Sequence, residues 1–321
     1  MYNNLLTPRK RAYKDNLGNL LSNSRLGAFA VCYLQAIEQE NKSPKTHTIY
    51  GEVLKSFLNY ESDHIPTPQE MRLYLLSVSQ RGCSPATVHV HYRTLKTWFN
   101  WLVGEKIIKQ AKFPMQNVKP PKVPDKIVIP FTVDEVTRML AIVNGDTFFD
   151  LRMRAQILTF VDTGLRLFEL ANIQKQDINM IEGIIKVMGK GQKERFVKIG
   201  LSTRVAINSY LLRRTDKLPE LWLTEERKPL TALGLQSAIF RLTALAGITG
   251  KRHGPHTFRH TSASLCKTNG MDIYILQKML GHSDVKTTER YLRSLGFDLV
   301  ADEHTRFSPC DNLFGVKHKP S

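Results

Sequence analysis

A proline-rich stretch near the middle of the chain does most to constrain its fold. Residues 113–130, FPMQNVKPPKVPDKIVIP, contain five prolines. Because proline lacks a backbone N–H and disfavours helix, this stretch predicts an extended linker. At 321 residues the chain is also longer than one hydrophobic core usually supports. We therefore expect two domains joined by this linker.

The residues before the linker carry helical periodicity and helix-start signals. One apolar helix face comprises Leu26, Phe29, Ala30, Tyr33, Leu34 and Ile37. Ser43, Thr67 and Ser84 each stand directly before a proline, which is the pattern of a capped helix start. Four helices packed as a compact bundle are therefore predicted for residues 24–112.

The residues after the linker predict a mostly helical domain with one small antiparallel sheet. Thr132 can cap a first helix, and residues 150–162 form an apolar helical stretch. Two β-rich runs, 183–189 and 195–200, flank the turn-rich connection GKGQK and are typical of a hairpin. Helices return from Ser202 onward. The predicted fold class is mainly α, formally α+β.

The chain is strongly basic, which indicates a polyanionic partner. Its formal net charge is +17 and its pI is near 9.7. Basic residues occur in both halves, so both predicted domains could contact the same polyanion; a basic surface without such a partner is the alternative. Candidate contacts are Arg9, Lys10, Arg11, Lys119, Lys122 and Lys193, although a solvated tail or turn is the plain alternative for several of them.

Cysteine spacing and hydropathy exclude several classes of protein. The four cysteines form no C-x-x-C pair, so zinc ribbons and redox motifs find no support. No apolar run approaches the roughly 18 residues that a membrane span needs. The first residues also lack the apolar core of a signal peptide. We expect a cytoplasmic protein with no membrane partner.

The later part of the chain concentrates residues that bind phosphate or act as nucleophiles. They are Arg166 in TGLRLFEL, Lys190 in GKGQKER, His256, Arg259, His282 and Tyr291. Breaking a phosphodiester without a metal requires that the charge on the pentacoordinate phosphate be neutralised and the leaving alkoxide be protonated. Arg166 and Arg259 suit the first task, because an arginine fork binds two phosphate oxygens. An ion pair or a helix-end contact is the alternative for each arginine.

The other candidates also have plain alternatives. A lysine on a turn, such as Lys190, can donate a proton to a leaving oxygen, but such lysines are usually solvated. His256 and His260 stand four residues apart, as two metal ligands on a helix would. However, Thr257 occupies the place of the metalloprotease glutamate and no carboxylate or cysteine completes a site, so we expect no metal. A lone tyrosine at a helix end is usually core or rim, so Tyr291 depends on the rest of the set.

Taken together, these segments resemble the tyrosine recombinase, or phage integrase, family. TGLRLFEL is similar to the first arginine box of that family, His256 and Arg259 form its H-x-x-R, and LGH leads to Tyr291 at its spacing. The resemblance covers nearly the whole chain and implies a clamp around duplex DNA. The expected parts are a basic segment (1–23), a core-binding domain (24–112), the linker (113–130), a catalytic domain (131–296) and a tail (297–321) that could be exchanged between subunits.

The resemblance also implies a reaction. Tyr291 would be the nucleophile and would form a covalent 3′-phosphotyrosine, leaving a free 5′-hydroxyl. Arg166 and Arg259 would hold the scissile phosphate, with His282 assisting.

Further residues would move protons or support the site. Lys190 would be the general acid for the 5′-oxygen, and His256 would orient groups or accept protons. Glu169 would brace the site without touching DNA. The alternative for Glu169 is a carboxylate on a helix surface, paired with a neighbouring base.

Three functions compete on the sequence alone. The first is a recombinase that cuts and rejoins specific sites in double-stranded DNA. It would act as a homo-tetramer assembled on DNA from monomers, with no cofactor and with or without accessory proteins. The second is a non-catalytic DNA-binding protein on the same scaffold, which has no need for Tyr291 or Lys190. The third is a monomeric type IB topoisomerase. The residue set and the two-domain layout favour the recombinase, without separating a phage integrase, a transposon integrase and a chromosome-dimer resolvase.

Overall fold

The computed structural model describes residues 24–60, 64–124, 128–189, 194–249, 253–281 and 287–288. Several predictions lie outside these residues: those for Arg9, Lys10, Arg11, Lys190, Lys193, His282, Tyr291 and the tail 297–321. The chain divides into two compact units, Met1–Asp125 and Lys126–Ser321. Among the helices in the described ranges, none has the length and apolar character needed to cross a membrane.

The first unit is a bundle of four α-helices. Helix α1 covers Arg25–Gln39, α2 covers Pro44–Leu58, α3 covers Pro68–Gln80 and α4 covers Pro85–Gly104, and a 3₁₀ turn follows at Gln110–Lys112. The predicted helix starts at Ser43, Thr67 and Ser84 are confirmed, because each side chain accepts a hydrogen bond from a backbone N–H of the first turn. These caps are local, which is why the sequence alone could place them.

Aromatic rings fill the core of the bundle. Phe57 is fully buried and meets Tyr74, Trp98 and Phe99 edge-to-face, with ring centroids 5.1, 6.0 and 6.0 Å away. Edge-to-face contacts of this kind add to the free energy gained by burying the rings. Helices α2, α3 and α4 are therefore held together around one phenylalanine.

The start of the proline-rich stretch departs from the prediction. Residues 114–117 form a turn, and Met115 and Val118 are buried against the core of the first unit. The hydroxyl of Tyr92 also donates to the carbonyl oxygen of Val118 at 3.1 Å. An extended linker is therefore wrong for residues 113–118, where burial of two apolar side chains outweighs the local signal. Lys119 and Lys122 follow this anchored segment and are exposed.

The second unit is mostly helical. Its helices are α5 (Val133–Ile142), α6 (Phe148–Thr163), α7 (Leu167–Ala171), α8 (Leu201–Leu211), α9 (Ala232–Leu245), α10 (Pro255–Thr268) and α11 (Ile273–Leu280), with a 3₁₀ turn at Lys175–Asp177. An antiparallel sheet contains β1 (Ile178–Asn179), β2 (Ile184–Met188) and β3 (Glu194–Lys198) in the order β1-β2-β3. The predicted fold class and the antiparallel pairing of β2 with β3 are confirmed. The two-residue strand β1 is too short to show any alternation in the sequence.

The register of β2 and β3 decides which side chains point inward. Ile185 pairs with Val197, and Val187 pairs with Arg195. The three aliphatic members of this face are buried in the core of the unit. Because side chains alternate along a strand, Arg195 shares the inward face with them.

Helix α10 is fixed by aromatic packing. Phe258 is fully buried, stacks on Phe160 with ring centroids 5.5 Å apart, and meets Phe131 at 4.8 Å. The backbone N–H of Phe131 donates to the Thr261 hydroxyl at 2.8 Å. These contacts hold α10 against α6 and thereby determine where the next residue, Arg259, can reach.

Candidate active site

Arg166 and Glu169 form a compact pair at the start of α7. The backbone N–H of Arg166 donates to Oε2 of Glu169 at 2.8 Å, and its Nη1 donates to Oε1 at 2.9 Å. The Glu169 side chain is 5% exposed, whereas that of Arg166 is 41% exposed. Glu169 is therefore not a helix-surface carboxylate. It is a buried group that holds the Arg166 guanidinium, which a ligand can still reach.

Arg195 is a second cation on the same carboxylate. Its Nη1 donates to Oε1 of Glu169 at 2.7 Å and its Nη2 donates to Oε2 at 2.8 Å, which is a two-pronged contact. Burial alone would raise the pKa of Glu169, but hydrogen bonds from Arg195 and Arg166 outweigh it and hold that pKa below its usual value. Glu169 is therefore charged at neutral pH.

Sequence reasoning missed Arg195. The usable signal was its alternation with Val197 in the run ERFVK, which places an arginine on the apolar face of a strand. An inward-facing arginine requires a partner of opposite charge or a set of acceptors. The sequence does not say which carboxylate lies opposite, because Glu169 is on another element.

Arg259 is enclosed and joins two helix ends. The residue is 1% exposed. Its Nη1 donates to the carbonyl oxygen of Gly164 at 2.7 Å and its Nη2 to that of Leu280 at 2.5 Å. Gly164 ends α6 two residues before Arg166, and Leu280 ends α11 two residues before His282. Arg259 therefore connects the segments that lead to two other predicted catalytic residues.

Two glycines allow these elements to approach closely. Gly164 and Gly281 both have left-handed backbone conformations, with φ of +60° and +65°. A Cβ atom on Gly164 would lie 2.6 Å from Cδ2 of Leu280, and one on Gly281 would lie 3.1 Å from Cδ of Arg195. The first contact would force a shift, the second would be tight, and both backbone conformations favour glycine. The end of α6 thus packs against α11, and the end of α11 packs against Arg195 of β3.

The two histidines of α10 differ in exposure. His256 is exposed in the first turn, whereas His260 is 3% exposed, and their rings meet edge-to-face with centroids 4.9 Å apart. His256 also stands one turn before Arg259. In the part of the chain that the structure describes, no three His, Cys, Asp or Glu side chains are grouped closely enough to hold a metal ion.

The described members of the predicted set thus lie in one unit. Arg166 and Glu169 are in contact, and His256 shares a helix with Arg259. Arg259 is bonded to Gly164, two residues before Arg166. Lys119 and Lys122 belong instead to the first unit. An accessible guanidinium held by a buried carboxylate is suited to binding an oxyanion such as a phosphodiester.

Comparisons with known proteins find similarity to enzymes that act on DNA. A family model described as the phage integrase family matches residues 130–296. Tyrosine recombinase XerD of Oceanobacillus iheyensis is 29% identical over 263 residues, which cover 78% of this chain and 87% of the relative. Tyrosine recombinase XerA of Pyrococcus furiosus is 31% identical over 258 residues, which cover 80% and 86%. A solved structure of the Tn1549 transposon integrase in complex with transposon right end DNA aligns with a TM-score of 0.69 at 19% identity, covering 87% of this chain and 99% of that one.

Proposed function

The chain belongs to the phage integrase family, and from that premise we propose how its site acts. The protein is a site-specific tyrosine recombinase, an enzyme that cleaves and rejoins DNA. In the proposed reaction, the hydroxyl oxygen of Tyr291 bonds to the scissile phosphorus while the bond to the 5′-oxygen breaks. The products are a 3′-phosphotyrosine and a 5′-hydroxyl, and attack by a 5′-hydroxyl of the partner strand reverses the step and rejoins the DNA.

The observation that best supports this proposal is the way Glu169 holds Arg166. A buried carboxylate fixes one side of the Arg166 guanidinium, while the side chain remains 41% exposed. Guanidinium has five N–H donors in a planar fork, and the contact with the Glu169 side chain uses one of them. Arg166 is thus preorganised to bind the two nonbridging oxygens of a phosphodiester and to offset their charge as it grows in the transition state.

Arg259 would contribute a second positive charge. The residue is 1% exposed and donates to two carbonyl oxygens, so contact with a phosphate requires its surroundings to open. We propose that DNA binding is accompanied by this opening. A guanidinium binds phosphate oxygens through paired N–H donors, so in the opened site Arg259 would offset the phosphate charge together with Arg166.

Proton transfer falls to Lys190 and the histidines. We propose that Lys190 gives a proton to the leaving 5′-oxygen, that His256 orients groups or accepts protons, and that His282 assists at the phosphate. Lys190 stands two residues after Met188, the last residue of β2, and Val187 of that strand pairs with Arg195. The connection that carries Lys190 therefore begins close to the Glu169 contact.

The proposed partner is double-stranded DNA carrying specific recombination sites. The net charge of +17 and the exposed Lys119 and Lys122 support contacts with the phosphate backbone by both units. We further propose a clamp of the two units around one duplex and assembly of monomers into a homo-tetramer on DNA, in the cytoplasm. Synapsis of two sites by four protomers would bring the exchanging strands together.

A denaturing gel with a nicked suicide substrate tests the nucleophile. The short fragment carrying the 5′-hydroxyl diffuses away after cleavage, so the covalent adduct accumulates. We expect Tyr291→Phe to bind the site normally and to form no adduct. The matched control is Tyr274→Phe, because Tyr274 is a 62% exposed tyrosine on α11, and it should form adduct at the wild-type rate. Adduct in Tyr291→Phe would show that another residue is the nucleophile.

A further inference from the structure

Arg195 contacts two parts of the site at once. Its guanidinium bonds to both carboxylate oxygens of Glu169, at 2.7 and 2.8 Å. On its other side, Cδ, Nε and Cζ lie so close to Gly281 that a Cβ atom there would be 3.1, 3.1 and 3.2 Å from them. The Arg195 side chain is 15% exposed, so it lies between these two neighbours rather than in solvent.

The Glu169 contact links Arg195 to Arg166. Both arginines donate to Oε1 of Glu169, and the second oxygen is shared by Arg195 and the backbone N–H of Arg166. A buried carboxylate needs its hydrogen bonds. If Arg195 were lost, Glu169 would draw the Arg166 guanidinium inward to replace them, and the guanidinium would be less available to a phosphate.

The Gly281 contact links Arg195 to the end of α11. Gly281 is the left-handed residue that closes this helix, and it directly precedes His282 in the chain. Because the Arg195 side chain packs against its backbone, any shift of Arg195 changes the space in which α11 can end. Arg259 donates to Leu280, the residue before Gly281, so two arginines hold adjacent residues of this helix end.

We propose that Arg195 is a positioning residue for strand cleavage. Through Glu169 it keeps the Arg166 guanidinium aimed at the scissile phosphate, and through Gly281 it fixes the helix end that leads to His282. Arg195 itself does not contact DNA. This inference rests on the proposed roles of Arg166 and Tyr291.

The geometry requires arginine rather than any cation. Lysine carries the same charge but has a single nitrogen, so it cannot bond both oxygens of Glu169 in parallel. Arg195→Lys should therefore retain part of the function that Arg195→Ala loses. An intermediate rate for Arg195→Lys would show that the paired hydrogen bonds to Glu169 matter in addition to the positive charge.

The experiment measures the rate of adduct formation at saturating suicide substrate, together with the Kd for the same DNA. The full-length wild type, Arg195→Ala, Arg195→Lys, Glu169→Gln and the double variant Arg195→Ala/Glu169→Gln are compared. We expect Arg195→Ala to slow cleavage on the order of tenfold to 100-fold, the range of coupling within one hydrogen-bond network, with Kd changed less than about threefold. Arg195→Lys should be intermediate.

The double variant tests whether Arg195 acts through Glu169. If Arg195 acts through Glu169, the double variant cleaves no more slowly than the slower single variant. Losses that multiply, or an Arg195→Ala rate equal to the wild-type rate, would overturn the proposal. Denaturant unfolding of each variant shows whether it is folded, and Arg195→Lys carries the test if Arg195→Ala is not.

A matched control and an internal reference complete the design. Arg213→Ala removes an arginine from an exposed ion pair with Asp146 and should cleave like the wild type. Failure of the wild type to form a Tyr291-dependent adduct would count against the proposed function. A normal wild-type adduct together with an unaffected Arg195→Ala would count against this inference alone.

Discussion

The two units bury different kinds of side chain. Among the described residues, Thr94 is the one buried polar side chain of the first unit apart from tyrosines and a tryptophan, and no charged side chain is buried there. The second unit buries Arg152, Glu169, Arg259 and His260. Burying charge costs free energy unless the group is paired and hydrogen-bonded, so the second interior is less favourable for stability alone. We infer that the first core serves folding alone, and we propose that the buried charges of the second unit also serve the reaction.

Arg152 is a buried charge of the second unit that lies outside the candidate site. This residue is 4% exposed, donates to the carbonyl oxygen of Leu223 at 2.5 Å and lies over the rings of Phe148 and Phe149. Burial lowers its pKa from the usual value. Its hydrogen bond goes to a backbone carbonyl and not to the linked charges of the site, so buried charge alone does not identify a catalytic group. What distinguishes the site is that its charges are linked to one another and to adjacent helix ends.

The largest effect on stability is expected in the first unit. Phe57→Ala should reduce the free energy of unfolding by about 3–5 kcal/mol, because a fully buried ring in contact with three aromatic neighbours is removed. Denaturant unfolding measures this loss. Phe196→Ala is the control, since Phe196 is 68% exposed and should cost less than about 0.5 kcal/mol. If folded Phe57→Ala protein cleaved bound DNA slowly, the first core would not be separate from the chemistry.

An intermediate effect is expected at Glu169, and it should depend on pH. Near neutral pH, Glu169→Gln should reduce the free energy of unfolding by about 1.5–3 kcal/mol, because charge-assisted hydrogen bonds are weakened. The pKa of Glu169 is lowered in the folded protein, so this stabilisation is fully present above the usual value of 4.5. It is lost as pH falls through the lowered folded pKa.

Denaturant unfolding at neutral pH and near pH 3 checks the Glu169 prediction. The difference between wild type and Glu169→Gln should shrink in acid. A difference of the same size at both pH values would mean that the charge of Glu169 does not stabilise the fold. The buried polar residue of the first unit, Thr94, does not titrate, so Thr94→Val supplies a pH-independent reference.

The sequence could predict those structural features that depend on residues close together in the chain. The helix starts at Thr67 and Thr132 could be predicted because a capping residue and its partner lie three residues apart. The burial of Met115 could not be predicted, because it depends on a surface formed by helices that lie earlier in the chain. Arg195 could be placed on an inward face, but its bonds to Glu169 join residues 26 positions apart and appear only when the fold is known.

The smallest effects are expected at these capping residues, and they should be equal in the two units. Thr67 and Thr132 each accept a hydrogen bond from the N–H of a glutamate three residues on, at 3.3 and 3.2 Å. Thr67→Ala and Thr132→Ala should each cost about 1 kcal/mol, with Ser substitutions near neutral. Unequal costs, measured by denaturant unfolding, would show that the wider surroundings of the caps matter more than their local geometry.

Whether the linked charges of the second unit serve the scissile phosphate, through the accessible Arg166 that the buried Glu169 holds, is tested most directly by changing the charge of the phosphate. The rate of adduct formation is measured for wild type and Arg166→Ala on a phosphodiester and on a methylphosphonate, in which a methyl group replaces one charged oxygen. We predict that Arg166→Ala slows cleavage of the phosphodiester by about 100-fold to 1000-fold, the usual loss for one stabilising donor, and cleavage of the methylphosphonate by less than about tenfold. Equal losses on both substrates would contradict a role for Arg166 in neutralising the phosphate.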